Sequence, residues 1–164
     1  MNRDRAWLAV GLSLALGLAG ARAASAQDRR WGSAIRIDNR IAHLFSPSVA
    51  IDGAGNAVAL WEASVNDPSR LWARRYVRGA GWGPLEPVGT DPTDGFSKVV
   101  MDADGNATAV WVRSAPDGST RQVWASRCAV GGAGNTPVQV STGPGLVYPI
   151  LSAAADGTSG VHAT

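Results

Sequence analysis

Val99-Val100-Met101-Asp102-Ala103-Asp104-Gly105-Asn106-Ala107-Thr108-Ala109-Val110-Trp111 is a near copy of Val49-Ala50-Ile51-Asp52-Gly53-Ala54-Gly55-Asn56-Ala57-Val58-Ala59-Leu60-Trp61. Valine, aspartate, glycine, asparagine, two alanines and tryptophan coincide after a shift of 50 positions. Self-similarity at a period of roughly 40–50 residues marks a repeat architecture, in which units bury their apolar faces against one another.

Each copy reads as a strand, a tight turn and a second strand. Gly55 and Gly105 stand where a hairpin needs a residue at positive φ. The carboxylates of Asp52 and Asp102 can accept hydrogen bonds from amides of the same turn. The second strands, Ala57-Val58-Ala59-Leu60-Trp61 and Ala107-Thr108-Ala109-Val110-Trp111, are almost wholly apolar. A half-exposed strand alternates apolar with polar, so these are expected to be covered on both faces.

Working outward, four strand types recur, here called a to d. The first cycle places a at residues 45–52, b at 57–63, c at 71–77 and d at 84–89. The second places them at 96–102, 107–113, 121–128 and 136–141. A last a strand is expected over 146–154, with a b strand beginning near Ser159, and Trp31-Gly32-Ser33-Ala34-Ile35-Arg36-Ile37 reads as a turn and short strand like Trp82-Gly83-Pro84-Leu85-Glu86-Pro87-Val88. Gly, Pro, Asp, Asn and Ser separate the runs, and no sustained 3.6-residue period occurs.

Four short antiparallel strands per unit make the blade of a β-propeller. The expected fold is therefore all-β, an incomplete propeller of two full blades plus partial strands, with repeats over 45–95, 96–145 and a partial one over 146–164. A terminal d strand could complete a blade begun by another copy, which gives a homo-oligomer through blade completion. Simple closure of three chains would leave each seam without a c strand. Aligning Gly157 on Gly105 puts Ala163 at the tryptophan position, so the last repeat reads as degenerate or cut short, with truncation favoured.

Residues 1–26 form a signal peptide by their pattern. A net-positive start is followed by an apolar run from Ala6 to Gly20 and the small-x-small site Ala24-Ser25-Ala26. Residues 27–164 are then the repeat region, secreted or periplasmic, with no membrane span after cleavage. Cleavage takes Arg3, Arg5 and Arg22 from the 15 basic side chains and Asp4 from the 13 acidic ones, leaving charges balanced. That removes any charge argument for nucleic acid. Arg74, Arg75 and Arg78 read as a solvated strand face. Cys128, the single cysteine, allows no internal disulfide; it reads as a half-buried structural residue, with a bond to a second chain as the alternative.

The pattern P-x-V-x-x-D-x-x-G-N-A-x-A-x-W, followed by a c strand and a G-x-G-W-G-x-P turn, resembles tandem repeats of secreted, mostly uncharacterised bacterial proteins. The resemblance implies propeller-like blades from Trp31 onward and no particular activity. Compared with the Asp-box of sialidase-like propellers, S/T-x-D-x-G-x-x-W, the spacing differs: Asp52 and Asp102 precede Gly by three positions and Trp by nine.

No catalytic set emerges. His43 and His162 lie near opposite ends of the mature chain, and Glu62 has Val112 as its counterpart, so it lacks a partner for acid–base work. Asp102-Ala103-Asp104-Gly105-Asn106 reads as a turn rather than a calcium loop, because a downstream glutamate is missing and Ala54 replaces Asp104 in the other copy. No metal and no cofactor is expected. Trp61, Trp111, Trp72 and Trp124 are assigned to packing. Trp31 and Trp82 stand beside turn glycines, where an exposed ring could hold a glycan or a protein ligand; the competing reading wedges them between blades. The expected function is non-catalytic binding of a glycan or protein, and the alternative is a fragment of a glycan-active enzyme.

Overall fold

The computed structural model describes residues 32–40, 42–64, 68–89, 92–130, 134, 136–141 and 152–156, and the backbone of Val161–Ala163. The expected signal peptide and Trp31 lie outside the described residues. All strands belong to the second of two compact units, Ile35–Thr164. Among the described residues every regular element is a β-strand, so the all-β expectation holds.

The first sheet is a meander of β1 (His43–Ile51), β2 (Ala57–Ser64), β3 (Arg70–Val77) and β4 (Gly81–Pro87), paired antiparallel in that order. The second repeats it with β5 (Lys98–Met101), β6 (Ala107–Ser114), β7 (Arg121–Cys128) and β8 (Val138–Gln139). A third sheet is the hairpin of β9 (Ala153–Ala155) and β10 (Val161–Ala163). β1 lies beside β5 and β5 beside β9, so the first strands of the three sheets form a row. The fold is thus a series of like, blade-shaped sheets.

Two sequence expectations change. Residues 32–37 join no strand ladder, although a short strand was expected there. In the third sheet Val161 pairs with Ala155 and Ala163 with Ala153, matching Ala107 with Met101 and Ala109 with Val99. Ala163 therefore corresponds to Ala109 and not to Trp111, and Asp156 corresponds to Asp102. The frame set by Gly157 was off by two residues.

The shared turn explains the repeated letters. Asp52 Oδ1 accepts from the Ala54 and Asn56 amides at 2.9 and 2.8 Å, and Oδ2 accepts from Asn56 Nδ2 at 2.8 Å. Asp102 accepts likewise from the Asp104 and Asn106 amides at 3.1 and 2.9 Å and from Asn106 Nδ2 at 2.9 Å. Each asparagine then turns its carbonyl outward: Asn56 Oδ1 accepts from the Arg78 amide and Asn106 Oδ1 from the Val130 amide. One Asp–Asn pair thereby fastens the hairpin to the end of the third strand. Gly55 and Gly105 sit at φ 86° and 82°, where a side chain is strained. Hydrogen bonds from Asn56 and Asn106 hold the two carboxyls below the usual aspartate range, against the effect of desolvation.

Alternation along the strands gives each sheet two faces. One, the leading face, carries Val49, Ile51, Ala57, Ala59 and Trp61 in the first sheet and Val99, Met101, Ala107, Ala109 and Trp111 in the second. The opposite, trailing face of the first sheet carries Ala50, Val58, Leu60, Leu71 and Ala73. Val58, Leu60 and Leu71 pack on Val99, Ala107, Ala109 and Trp111 to form the core. The trailing face of one sheet therefore covers the leading face of the next.

Trp111→Ala should lower stability by roughly 3–5 kcal/mol, the usual cost of emptying a buried aromatic site, as read by denaturant melts. Asn106→Ala should cost more at pH 7 than near pH 3. The reason is that a carboxyl with a depressed pKa stabilises above its unfolded pKa and loses that contribution as pH falls; equal losses at both pH values would contradict the turn's electrostatic role.

Candidate functional site

Of the two tryptophans expected to hold a ligand, Trp31 lies outside the described residues and Trp82 belongs to β4. Trp82 pairs across from Tyr76, its ring edge-on to the phenol ring at 5.5 Å, and it is half-buried on the first sheet. It is not a freely projecting turn aromatic, because the turn glycines admit β4 into the ladder and lay the indole along the sheet. Trp61 and Trp72 stand directly opposite one another, as do Trp111 and Trp124. A guanidinium covers the outer ring of each pair, Arg40 over Trp72 at 3.8 Å and Arg113 over Trp124 at 4.7 Å.

The arginines expected on a solvated face are instead committed to the fold. Arg74 donates to the Gly83 and Ile37 carbonyls at 2.6 and 2.9 Å. Arg75, one residue on and so on the opposite face, donates to the Gly105 carbonyl of the second sheet at 2.7 Å. Arg78 reaches the Ala54 carbonyl at 3.4 Å. Strand alternation splits neighbouring cations between two tasks, which a run of letters does not reveal.

Between the first two sheets lies a cleft of about 850 Å³. Its existence follows from side-chain size. Where Trp111 and Trp124 face the first sheet, the gap is filled. One turn of the ladder away, the rows Ala109–Ser126 and Ala107–Cys128 carry small side chains, and the space opposite Ala73 and Arg75 stays open. Val58, Leu60 and Val99 give it an aliphatic floor, and Glu86 stands at its rim with Pro84, Pro87 and Pro137. Cys128 is half-buried in this wall, as expected of a structural residue, and among the described residues no aromatic side chain lines the space.

At the far end of the same interface sits Glu62, only 1% exposed. Its counterpart Val112 is also fully buried, so a carboxyl occupies a core position. Thr93 Oγ1 donates to Glu62 Oε2 at 2.8 Å, while Oε1 has no hydrogen-bond partner among the described residues. Burial pushes the Glu62 carboxyl up, opposed by the hydroxyls of Thr93, Ser97 and Ser46 and reinforced by the charge of Asp94. The surrounding backbone is strained at matching points of the two repeats: Ser46 and Phe96 have φ of 48° and 62°. Such conformations cost about 1–3 kcal/mol each and persist only where neighbours enforce them. Here Ser97 Oγ donates to the Ser46 carbonyl, Asp94 N to the Val112 carbonyl and Thr93 N to the Ser69 carbonyl.

A protonated Glu62 has an O–H to give and suits an apolar slot; an ionised one does not. The sequence held a signal for it, a glutamate interrupting an apolar strand where the other copy has valine, but not its burial. Among the described residues no three His, Cys, Asp or Glu side chains converge. His43 is exposed at the start of β1, its ring 6.5 Å from that of Phe45.

Glu62 binds its proton more tightly folded than unfolded. Stability is whole below the ordinary glutamate pKa and declines as pH rises from there through the elevated value. Glu62→Gln should therefore melt close to the parent chain in acid and above it near neutral pH. A variant destabilised equally at both would show that the ionised carboxylate is the form the fold uses. No known family model matches the chain, and no curated protein matches it in sequence.

Proposed function

We propose that the chain is a secreted or periplasmic binding protein without chemistry of its own, built of propeller-type repeats like those of the bacterial proteins it resembles. Its ligand is an extended segment of another protein, taken into the cleft between the first two sheets. The observation that carries this reading is the cleft itself. Its volume, about 850 Å³, falls in the range of ligand sites, and its floor is aliphatic. Aliphatic walls take aliphatic side chains, Glu86 at the rim favours a basic residue, and the outer edge of β4, unpaired among the described residues, offers backbone groups to an extended strand. A glycan would be served by a flat aromatic surface, which the described lining of this space does not supply. Glycan binding at Trp82 is the weaker form of the proposal, since that ring is engaged by Tyr76.

The enzyme alternative draws support from Glu62 alone, whose raised pKa suits a general acid. Its burial separates it from any substrate reaching the surface.

A displayed library of random peptides and a glycan array, both screened with the full chain, separate these readings. Selected peptides should carry aliphatic residues and a basic one. Their affinity should fall at least about tenfold, or about 1.4 kcal/mol, in Ala73→Phe, which fills the cleft, and should persist in Trp82→Ala. Glu86→Lys, at the exposed rim, should shift selection toward acidic peptides. Glycan binding abolished by Trp82→Ala, or peptide binding indifferent to Ala73→Phe, would overturn the cleft as the site.

A further inference from the structure

The described lining of the cleft carries two charged side chains, Arg75 and Glu86, and no ion pair joins them. Arg40 and Arg127 each hold a carboxylate at 2.6 Å, those of Asp38 and Asp102. Arg75 holds none among the described residues. Its half-buried side chain crosses from the first sheet to the second, donating to the Gly105 carbonyl at 2.7 Å and to the Cys128 carbonyl at 3.4 Å. Both acceptors are neutral, and a guanidinium has more N–H donors than these two bonds use. A full positive charge in the cleft is therefore answered by backbone dipoles alone. A carboxylate matches the guanidinium fork in charge and in shape, and such charge-assisted bonds are roughly twice as strong as neutral ones.

The surroundings of Arg75 decide which kind of carboxylate fits. Val58 stands directly across the ladder from it, and Leu60 pairs with Ala73 further along the same face. Val99 packs on both valine and leucine from the second sheet. An anion placed here has to bring an aliphatic group with it. The last residue of a protein chain does so when its side chain is aliphatic, because carboxylate and side chain share one Cα. An aspartate or glutamate side chain would put polar atoms where the aliphatic group belongs. The bridge that Arg75 makes between the sheets also stands in the path of a chain running along the cleft, which suits an end better than a continuing segment. Glu86 lies across from Ala73, two residues along β3 from Arg75, or about 7 Å in an extended strand. A basic side chain that reaches it belongs to one of the few residues before the last.

We propose that the cleft reads a carboxyl terminus. Arg75 takes the terminal carboxylate, the aliphatic floor takes the last side chain, and Glu86 takes a basic residue shortly before it. This rests on the reading of the cleft as the binding site, and narrows its ligand from any extended segment to a chain end.

Random hexapeptides arrayed by their N-termini, once as free acids and once as amides, and screened with the full chain, test it. The free acids that bind should end in Leu, Ile or Val, and their amides should bind at least about tenfold more weakly. In Arg75→Gln the gap between acid and amide should close. In Glu86→Gln the gap should stay while the preference for a basic residue is lost. The comparison of acid with amide is made on the parent chain, so it stands even where Arg75→Gln melts early. Acids and amides that bind the parent equally would overturn the terminus, as would a folded Arg75→Gln chain that keeps the gap. Ala73→Phe separates this failure from failure of the site itself. Peptides lost in that variant yet indifferent to amidation would leave a cleft for internal segments and overturn the terminus alone. Peptides bound by Ala73→Phe as by the parent, or an array bound in neither form, would remove the cleft and the terminus together.

Discussion

Burial of a strand on both faces at once is the constraint on which the structure depends. Nearly every residue along β2 and β6 is buried, whichever face of its sheet it takes. Such a strand cannot carry large side chains at every position, because sheets then separate and leave voids that cost dispersion and transfer energy. Alanines at 107 and 109 let the first sheet approach, and Trp111 fills the wider end of the wedge. Buried aromatics of this size supply most of the interface's apolar area. The cleft lies where the small residues continue into β7 without a large one opposite.

The Asp–Asn turn solves a second problem, the termination of paired strands. A hairpin end exposes amides and carbonyls with no ladder partner, and five residues at each turn satisfy their own groups while gripping the third strand. The motif is therefore a fastening, and the calcium-loop likeness of residues 102–106 is accounted for by oxygens already engaged with amides.

Much of this was readable from the chain because it is stated twice. The repeat of 50 positions fixed sheet number, strand order and the role of the turn, and β6 and β7 fall within one residue of their expected limits. Strands lacking a strong second copy fared worse. Residues 32–37 share letters with β4 but join no ladder among the described residues, and the last hairpin was framed two residues out of register. Arg74 and Arg75 were misjudged, and the burial of Glu62 went unread, for a common reason: their surroundings depend on which face a residue takes and what crosses from the next sheet. Repetition does not reveal this, because Val112 stands at Glu62's position. Trp82 was placed at a turn when its flanking glycines are strand residues. Trp61 and Trp111 are buried and Cys128 is half-buried, as expected, because their register neighbours are fixed by the ladder itself.

The reach of Arg75 to the Gly105 carbonyl, and the crowding at Gly105, bear on how the molecule comes apart. A Cβ at Gly105 would meet Asp52 Oδ2 and Val130 Cγ2, each at 3.1 Å, whereas one at Gly55 would meet mainly the flexible end of Arg78. The second turn is locked to the first sheet, through Arg75 and beside Asp52. Stability in a stacked array is a sum of unit and nearest-neighbour terms. Here the neighbour term is tied to the turn that closes the second unit, so opening the first sheet releases the second, whereas fraying of the outermost strand β8 leaves that lock intact. Exchange protection along the chain is therefore graded by distance from the shared interface rather than by position within a sheet.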